Sequence, residues 1–554
     1  MTTCNEHHLS IGLSIGWAGT QADDNFESHF ASTAEQFCYA VRPQFAPRRN
    51  VPVRAGIMTT DTTTVSDLPP DVPAMDAPPV NPADWARSKL VINVLLVSTF
   101  VVMLNETAMS VAIPALAEAF GATYNDAQWL TTAFLLTMAV VIPVTGFLLQ
   151  RMNSRPVFML AMALFSAGTL IAALAPSLGI LIAGRVVQAA GTAIMMPLLM
   201  TTVMTLVPPH ERGKMMGNIS IVMSVAPAIG PALAGLILNY LEWRYLFVIM
   251  LPISLGALAL GWRMMLHVTT PRYAPLDIFS VVISAFAFGG IVYGLSNLGV
   301  PQAEGAMSPW IPLAIGVVSM AVFIFRQLQL QKKDAALLDL RTLKNKNFTI
   351  SMSMISILML AMFGTIILLP IYLIQIQGFD TLGTGLLLAP GALLMGLLGP
   401  FVGRLYDKIG PTPLIVPAMI VVSVVLWAMT LLGTDTWWPY ILAGHLVMSL
   451  GFAFLFGPLF TASLSSVPPQ LYSHGSAVLG SVQQVAGAAG VALFVAIMTA
   501  QSAAIGAAGA VPAEALAGGI RTAFIVGAII SLFAVAASFF VKKPPDQPGG
   551  WGGH

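Results

Sequence analysis

Apolar segments long enough to cross a bilayer follow one another from Leu90 to Val541, and charged residues are confined almost entirely to the joints between them. A helix needs about 20 apolar residues to cross the hydrocarbon core, where lipid offers open backbone groups no hydrogen-bond partners. The composition agrees, since only 9% of the residues are charged, against roughly 25% in soluble globular proteins. The sequence therefore predicts an all-α polytopic membrane protein with about fourteen spans. Clear examples of such segments are 90–115, 127–149, 177–206, 215–238, 243–266, 347–375, 411–432 and 520–541.

The distribution of charge predicts how the spans are oriented. Lysine and arginine concentrate in alternate joints, whereas the opposite joints hold mainly acids, with Arg244 and Arg521 as the cations there. Basic joints stay in the cytoplasm, so both termini are expected to be cytoplasmic, in a multi-pass protein of the inner or plasma membrane. The net charge of +1 gives no indication of a nucleic-acid partner. The basic set comprises Arg87, Lys89, Arg151, Arg155, Arg212, Lys214, Arg263, Arg272, Arg326, Lys332, Lys333, Arg341, Lys344, Lys346, Arg404, Lys408, Lys542 and Lys543.

Residues 1–88 contain no spanning segment. The stretch after Met58 is rich in Thr, Pro and Asp, a composition typical of disorder, so we predict a disordered cytoplasmic tail. The cysteines Cys4 and Cys38 both lie in this region, and no disulfide is expected in the membrane body. No cleavable signal peptide is evident. Whether Met58 is the true start, with an upstream extension before it, stays open.

The chain resembles itself at an offset of about 260 residues, which is typical of transporter folds built from repeats. GRVVQAAG around Arg185 is followed by VPP at 207–209, and GHLVMSLG around His445 is followed by VPP at 467–469. Pro143 and Gly146 match Pro400 and Gly403, each pair preceding a short basic loop. We therefore predict an N-terminal six-helix half at 89–266 and a C-terminal half at 347–541. Between them, 267–346 holds two inserted spans (about 277–299 and 310–331) and a cytoplasmic linker, and 542–554 is a cytoplasmic tail.

Four motifs occur in the N-terminal half. The first span ends LNETAMSVAIP at 104–114, and the second ends GFLLQRMNSRP at 146–156. The fourth carries Arg185, Gln188 and Gly191. The fifth reads G-x8-A-x3-G-P-x2-A-G from Gly217 to Gly235. These motifs resemble those of the fourteen-span drug:proton antiporters of the major facilitator superfamily (the EmrB/QacA type), and the first two are most similar to those of lincomycin-type exporters.

The resemblance implies a major facilitator fold and export driven by a proton gradient, without another cofactor. Some positions depart from the family pattern. Asn105 replaces the usual aspartate of the first motif, and Gln150 replaces the aspartate of the first loop, whereas the second half keeps Asp407 and Lys408 in GRLYDKIGP. The fifth-span motif residues, which the family uses to seal one half against the other, are Gly217, Ala226, Gly230, Pro231 and Gly235.

Glu106 is the only carboxylate deep within a predicted span. An ionised side chain at bilayer depth is costly unless it is paired or hydrated, so such residues usually face a cavity and have a function. Removal from water favours the protonated form of a carboxyl group. Glu106 could therefore either carry a proton or neutralise a cationic substrate. The alternative is a structural acid paired to a neighbouring helix. Arg185, the basic residue at comparable depth, is expected to bias Glu106 or relay its proton, or else to lock its own span through backbone carbonyls.

The substrate wall is expected on spans one, four, nine and twelve, with two glutamines from span thirteen. A histidine there could titrate or simply pack in its neutral form. The candidates are Asn105, Gln188, Thr365, Tyr372, Gln375, His445, Phe452, Gln483 and Gln484. The candidates for cytoplasmic gate loops, some of which could be topology markers instead, are Gly146, Arg151, Arg155, Gly403, Asp407 and Lys408. No metal site is predicted.

The leading hypothesis is therefore a proton-coupled exporter of amphipathic, often cationic drugs that works as a monomer by alternating access. A metabolite facilitator on the same fold is the main alternative, and a passive channel is another. ATP is not expected to drive transport, since no G-x-x-x-x-G-K-[ST] loop occurs. The motif H-E-x-x-H is also missing from the sequence, so we do not predict an enzyme.

Overall fold

The computed structural model describes residues 82–265, 277–298 and 307–543. The predicted disordered tail before residue 82, Cys4, Cys38, the alternative start Met58 and the last residues of the C-terminal tail lie outside these ranges. The described residues form fourteen long helices and no strand. They are α1 (Pro82–Phe120), α2 (Tyr124–Arg151), α3 (Ser154–Ala173), α4 (Leu178–Leu206), α5 (Arg212–Tyr240), α6 (Tyr245–Met264), α7 (Ile278–Ser296), α8 (Trp310–Leu330), α9 (Lys346–Gln375), α10 (Thr381–Ile409), α11 (Thr412–Met429), α12 (Trp438–Ser465), α13 (Tyr472–Ala507) and α14 (Pro512–Ser538).

All fourteen helices are long and apolar enough to span a membrane, which confirms the predicted fold class. Short polar side chains begin several of them. Thr123 caps α2 and forms a reciprocal capping box with Asp126, which satisfies backbone N–H groups that the helix leaves open. Ser177 caps α4 in a similar way. The starts of these two helices are therefore encoded locally, by one capping residue each.

Prolines do not end the membrane helices. The sequence pattern predicts that the first span ends at Pro114, but α1 continues through this residue to Phe120. Prolines also lie inside α2, α4, α5, α9 and α10. Neighbouring helices and nearby hydroxyls can satisfy the carbonyl that a membrane proline leaves open, so proline is a weak signal for a helix end in this chain.

The first six and the last six helices form two bundles with the same internal packing. In the N-terminal bundle, α1 packs on α5, α2 on α4, α3 on α4, and α3 on α6. The equivalent pairs α9–α13, α10–α12, α11–α12 and α11–α14 recur in the C-terminal bundle. The repeat seen in the sequence thus corresponds to a repeat of helix packing. The exact domain boundaries stay a prediction.

The two bundles meet mainly through the pairs α5–α10 and α2–α13, with α4–α13 and α5–α12 beside them. We call the end of the molecule that carries the basic joints and both described chain ends the basic end. Gly213 at the start of α5 meets Asp407 near the end of α10 there, and Gln150 at the end of α2 meets Gln470 just before α13. The closest contacts between the bundles therefore lie at the basic end.

The two helices between the bundles form a tight hairpin, α7–α8, which we call the inserted hairpin. It packs on α2 of one bundle and on α13 of the other. Many of its apolar side chains are exposed, including Phe286 and Phe325, as expected of a surface that faces lipid. The inserted hairpin thus covers one of the two seams between the bundles.

Candidate functional site

The turn of α1 that carries the predicted proton carrier lies inside the N-terminal bundle, where α1 packs on α2, α4, α5 and α6. Asn105 is buried, and Glu106 is half-buried with an Oε2 atom that is buried and has no hydrogen-bond partner. The hydroxyls of Ser98 and Thr99 on the same helix are also buried without a partner. This part of α1 therefore carries several polar atoms without a fixed partner among the described residues.

Arg185 of α4 is the largest fully buried side chain in the described part of the chain. Its Nη1 donates to Oδ1 of Asn105 at 3.0 Å and to Oε1 of Gln188 at 2.6 Å. Gln188 donates in turn to the Thr169 hydroxyl of α3 at 2.8 Å. The guanidinium carbon lies 4.1 Å from the centre of the Phe134 ring of α2, within cation–π range. One arginine thus joins α1, α2, α3 and α4.

Glu106 and Arg185 are close enough to attract each other electrostatically. No ion pair joins them among the described residues, because Arg185 donates to the neutral Asn105 and Gln188. The Nε atom of Arg185 is buried without a partner, like Oε2 of Glu106. The site therefore holds a carboxyl and a guanidinium that are near each other without an ion pair between them, and the structural role considered for Glu106 stays an alternative prediction.

The fifth-span motif reaches the same turn of α1. A Cβ atom on Gly230 would lie 2.2 Å from Oγ1 of Thr107 and 3.0 Å from the carbonyl oxygen of Leu104. The Thr107 hydroxyl also donates to the Ala226 carbonyl of α5 at 3.4 Å. Gly230 therefore packs α5 against α1 within the N-terminal bundle, beside Glu106, rather than against the other bundle.

Other residues of the motif lie elsewhere. A Cβ on Gly217 would lie 2.2 Å from the carbonyl of Gly399 in α10, whereas a Cβ on Gly235 would meet nothing within 4 Å. Pro231 lies within α5 without ending it. Gly217 alone among these three glycines of the motif thus contributes to the seam between the bundles.

The α5–α10 seam is closed by a pair of glycine motifs and one carboxylate. Gly213 and Gly217 on α5 face Gly399 and Gly403 on α10, and their added Cβ atoms would overlap the opposite backbone. Such G-x-x-x-G pairs allow helix backbones to approach closely. Asp407 accepts hydrogen bonds from the backbone N–H groups of Gly213 and Lys214, both at 2.8 Å. A carboxylate at a helix N-terminus is favoured by the helix dipole.

The α2–α13 seam is built differently. A Cβ on Gly146 would lie 3.0 Å from Cβ of Ala477 and 3.4 Å from Nδ1 of His474. Gln150, at the place of the expected aspartate, donates a single hydrogen bond to the Gln470 carbonyl at 3.1 Å. Arg155 instead donates to the Trp262 carbonyl within the N-terminal bundle. A neutral amide thus stands on this seam where the other has a carboxylate.

The other two gate candidates are exposed near the ends of α2 and α10. Arg151 is exposed and lies over the ring of Phe147 on its own helix, 5.9 Å from the ring centre. Lys408 is exposed at the end of α10, next to the bridging Asp407. Their roles in gating stay predictions.

A test of the seam follows from Asp407. We expect Asp407→Asn to loosen the α5–α10 contact, because an amide can accept one of the two N–H bonds only by pointing its own N–H₂ group at the other. The fraction of molecules in which this contact is broken should rise about tenfold, as expected from about 1–2 kcal/mol for a charged helix-terminal bond. The measurement is the rate of maleimide labelling of Ser220→Cys, a buried position on this seam, in a Cys4→Ser/Cys38→Ser background.

The control is Arg404→Gln, which alters an exposed residue of the same helix. Equal labelling rates for the parent, Asp407→Asn and Arg404→Gln would contradict the role assigned to Asp407.

Three substrate-cavity candidates of the C-terminal bundle already have hydrogen-bond partners there. The hydroxyl of the buried Tyr372 donates to the Gly433 carbonyl at 2.6 Å, and Thr365 donates to the Ala361 carbonyl of its own helix. His445 contacts the Leu388 carbonyl of α10 at 3.1 Å through Nε2, and its Nδ1 is buried without a partner. The structure does not join these side chains to the Glu106 cluster through any contact observed.

The remaining candidates differ in exposure. Gln375 is exposed at the end of α9, and Phe452 is buried with its ring centre 5.8 Å from that of Phe456. Gln483 and Gln484 are half-buried on α13, and Gln484 approaches the sulfur of Met138 on α2 at 3.9 Å. Gln484 is thus placed between the two bundles, and its role as a substrate contact stays a prediction.

Sequence reasoning missed two members of the buried cluster, Thr169 and Phe134. Neither occurs in a motif, and only the packing of α2 and α3 on α4 brings them to Arg185. The facing glycine motifs on α5 and α10 were also missed. The regular four-residue spacing of Gly213 and Gly217, and of Gly399 and Gly403, was a signal that could have revealed them.

Two repeated bundles of membrane helices, one of which encloses a buried polar cluster, define the architecture of a membrane transporter. The family model described as the Major Facilitator Superfamily matches residues 95–491, and the chain belongs to this superfamily. It is 37% identical over 453 residues to the lincomycin resistance protein LmrB of Listeria monocytogenes, covering 81% of this chain and 95% of the relative. It is 36% identical over 455 residues to the uncharacterized MFS-type transporter YcnB of Bacillus subtilis, covering 82% and 95%.

Solved structures show the same fold at lower sequence identity. The human organic anion transporter MFSD10 (TETRAN) aligns with a TM-score of 0.56 and 15% identity, covering 81% of this chain and 99% of that one. At this identity the likeness concerns the fold alone. The chain is thus a multi-pass transporter of the major facilitator superfamily, as the sequence motifs indicated.

Proposed function

We propose that this transporter exports amphipathic, often cationic drugs in exchange for protons. The observation that carries the proposal is the Oε2 atom of Glu106, which is buried without a partner near Arg185. A buried carboxyl without a fixed partner can hold a proton or neutralise a bound cation, but not both at once. The similarity to a lincomycin resistance protein supports drugs as the substrate class.

The proposed coupling uses the two unpaired atoms of the site. When Glu106 loses its proton, its charge attracts Arg185, whose Nε is free of hydrogen bonds. The guanidinium then exchanges part of its contact with Asn105 for Glu106, which pulls α4 towards α1. When Glu106 is protonated, the attraction ends and Arg185 returns to Asn105 and Gln188. Because α5 packs on this turn of α1 through Gly230, the change can reach the helix that forms the seam with α10.

The structure corresponds, in this proposal, to the state that is closed to the cytoplasm. The basic end, where the bundles touch, is assigned to the cytoplasm by the excess of Lys and Arg in its joints. Both termini then lie in the cytoplasm, and the protein works as a monomer in the cell membrane. Rocking of the bundles about the Glu106 site would break the α5–α10 and α2–α13 contacts and open the site to the inside.

The energy source is proposed to be the proton gradient alone, without a bound cofactor. The test is transport of ethidium by inverted membrane vesicles that contain the protein, with the vesicle interior made acidic. We expect dye accumulation that collapses when a protonophore is added. Dye accumulation that does not depend on the proton gradient would favour a passive channel. Dye movement only out of the vesicles would favour an uptake facilitator.

A further inference from the structure

The inserted hairpin lies directly on the α2–α13 seam. Gly289 of α7 faces Leu136 and Val140 of α2, and the ring of Tyr293 stacks on Trp129 with 5.8 Å between centres. α7 also packs along α13. The α5–α10 seam on the other side of the molecule has no inserted helices against it in the described ranges. The hairpin therefore touches both moving bodies on one side only.

The basic end of the hairpin is locked by an ion pair. Asp277 caps α7 and accepts two hydrogen bonds from Arg326 of α8, at 3.0 and 3.1 Å. These bonds from Arg326, more than any other contact, hold the pKa of Asp277 below its ordinary value. A lowered pKa means that the pair is complete at neutral pH and is lost only as the pH falls through that lowered value. The two helices of the hairpin thus behave as one unit at this end.

Gln327, the next residue of α8, connects this unit to the linker, residues 331–345. Its side chain is fully buried, and its Nε2 donates to the Ser280 hydroxyl at 2.9 Å. Its Oε1 accepts the backbone N–H groups of Leu337 and Leu338, at 2.7 and 3.3 Å. Both leucine side chains are buried in the main core. One amide therefore fixes the linker to the hairpin.

The linker in turn contacts the start of α13. The backbone of Leu337 lies beside the ring of His474, which is 3% exposed. Nδ1 of the same ring faces Gly146 of α2 across the seam. Arg341, paired with Asp334 and Asp339, stiffens the linker beside this point, and these two ion pairs raise the pKa of Arg341 above its ordinary value. A continuous set of contacts thus runs from the hairpin to the seam.

We propose that the inserted hairpin and the linker clamp the α2–α13 seam in its closed state, with Gln327 as the positioning residue. The clamp compensates for the neutral Gln150, which provides one exposed hydrogen bond where Asp407 provides two charged ones on the other seam. This inference rests on the alternating opening proposed above, but not on proton coupling or on the nature of the substrate. Loss of Gln327 therefore shifts the protein towards opening at the basic end.

The test uses Ala477→Cys, a fully buried position that packs on Gly146, in a Cys4→Ser/Cys38→Ser background. Labelling by a membrane-impermeant maleimide is measured in inverted vesicles without drug or gradient. Gln327→Leu should speed labelling about fivefold to tenfold, as expected from the loss of a buried hydrogen-bond partner. Gln329→Leu, which changes an exposed glutamine of the same helix, should leave the rate unchanged.

Two further proteins separate clamping from general loosening. Ala528→Cys, at a position buried inside the C-terminal bundle, should stay unlabelled in every variant. Asp277→Asn should raise the Ala477→Cys rate in the same direction, and it carries the test if Gln327→Leu does not reach the membrane. Equal rates for Gln327→Leu and Gln329→Leu, or for Asp277→Asn and the parent, would overturn the clamp whatever the result of dye transport. Faster labelling together with a failure of dye transport in the parent would overturn the proposed function and leave the clamp in place.

Discussion

Replacement of Glu106 by glutamine is expected to abolish proton-driven drug transport while the protein still folds and inserts. Glutamine keeps the size of the side chain but cannot bind and release a proton. Transport should fall about a hundredfold or more, which is the scale on which removal of a proton-transferring group acts in enzymes. The measurement is gradient-driven dye accumulation in inverted vesicles, together with drug-induced proton release from the purified protein.

The stability of this variant gives a second, independent expectation. The Oε2 atom of Glu106 has no hydrogen-bond partner among the described residues, so the substitution removes no hydrogen bond of that atom and relieves the burial of an ionisable group. We expect the melting temperature of Glu106→Gln to equal or exceed that of the parent. Glu118→Gln, at an exposed acid of the same helix, is the matched control for transport. Retention of drug-induced proton release by Glu106→Gln would remove this residue from the coupling mechanism.

Gly230→Leu is expected to reduce transport at least about tenfold, because the close approach of α5 to α1 leaves no room for a side chain. The first added atom alone would lie 2.2 Å from the Thr107 hydroxyl and 3.0 Å from the Leu104 carbonyl. Thr107 can rotate, but the backbone of α1 must move, and overpacking of this kind costs about 1–3 kcal/mol. The backbone movement affects the turn of α1 that carries Asn105 and Glu106. We therefore expect the transport rate to decrease more than the amount of protein inserted into the membrane. Dye accumulation in vesicles, normalised to the amount of inserted protein, measures the effect.

The chain offers a matched control five residues further along α5. A Cβ on Gly235 meets nothing within 4 Å, so Gly235→Leu should transport at close to the parental rate although it alters the same helix and the same motif. Gly230→Ala should fall between the two, since it adds only the first atom. Equal activity of Gly230→Leu and Gly235→Leu would show that the contact with α1 is irrelevant to transport.

The number of spans and the pairing of the two halves could be predicted because they depend on local composition. A span is recognised as a long apolar segment without charged residues. The repeat is recognised by residues such as Gly184 and Gly444, which recur at a constant offset. The end of α1 could not be predicted in this way, since Pro114 reads as a helix end but lies within the helix. Hydropathy identifies the segment that enters lipid, but α1 continues beyond that segment to Phe120.

The charged residues of the candidate site could be predicted from the sequence, but the contacts that they make could not. Glu106 and Arg185 stand out in the sequence as the charges at bilayer depth. The partners of Arg185 are instead Asn105 and Gln188, and the ring beneath it belongs to Phe134. Whether the roles assigned to the two charged residues are correct stays a prediction until the transport measurements are made.

The sequence alone thus determined that fourteen apolar helices span the membrane, and that one acid and one arginine lie at depth among them. Both follow from the high energy of charges and open backbone groups in lipid, which each segment reveals without its neighbours. Only the tertiary structure decided that Gly230 faces α1, that Gly217 faces α10, and that the linker reaches His474. Helix order in a membrane is set by the close fit of small side chains and by polar contacts between distant segments, and hydropathy carries almost no information about either.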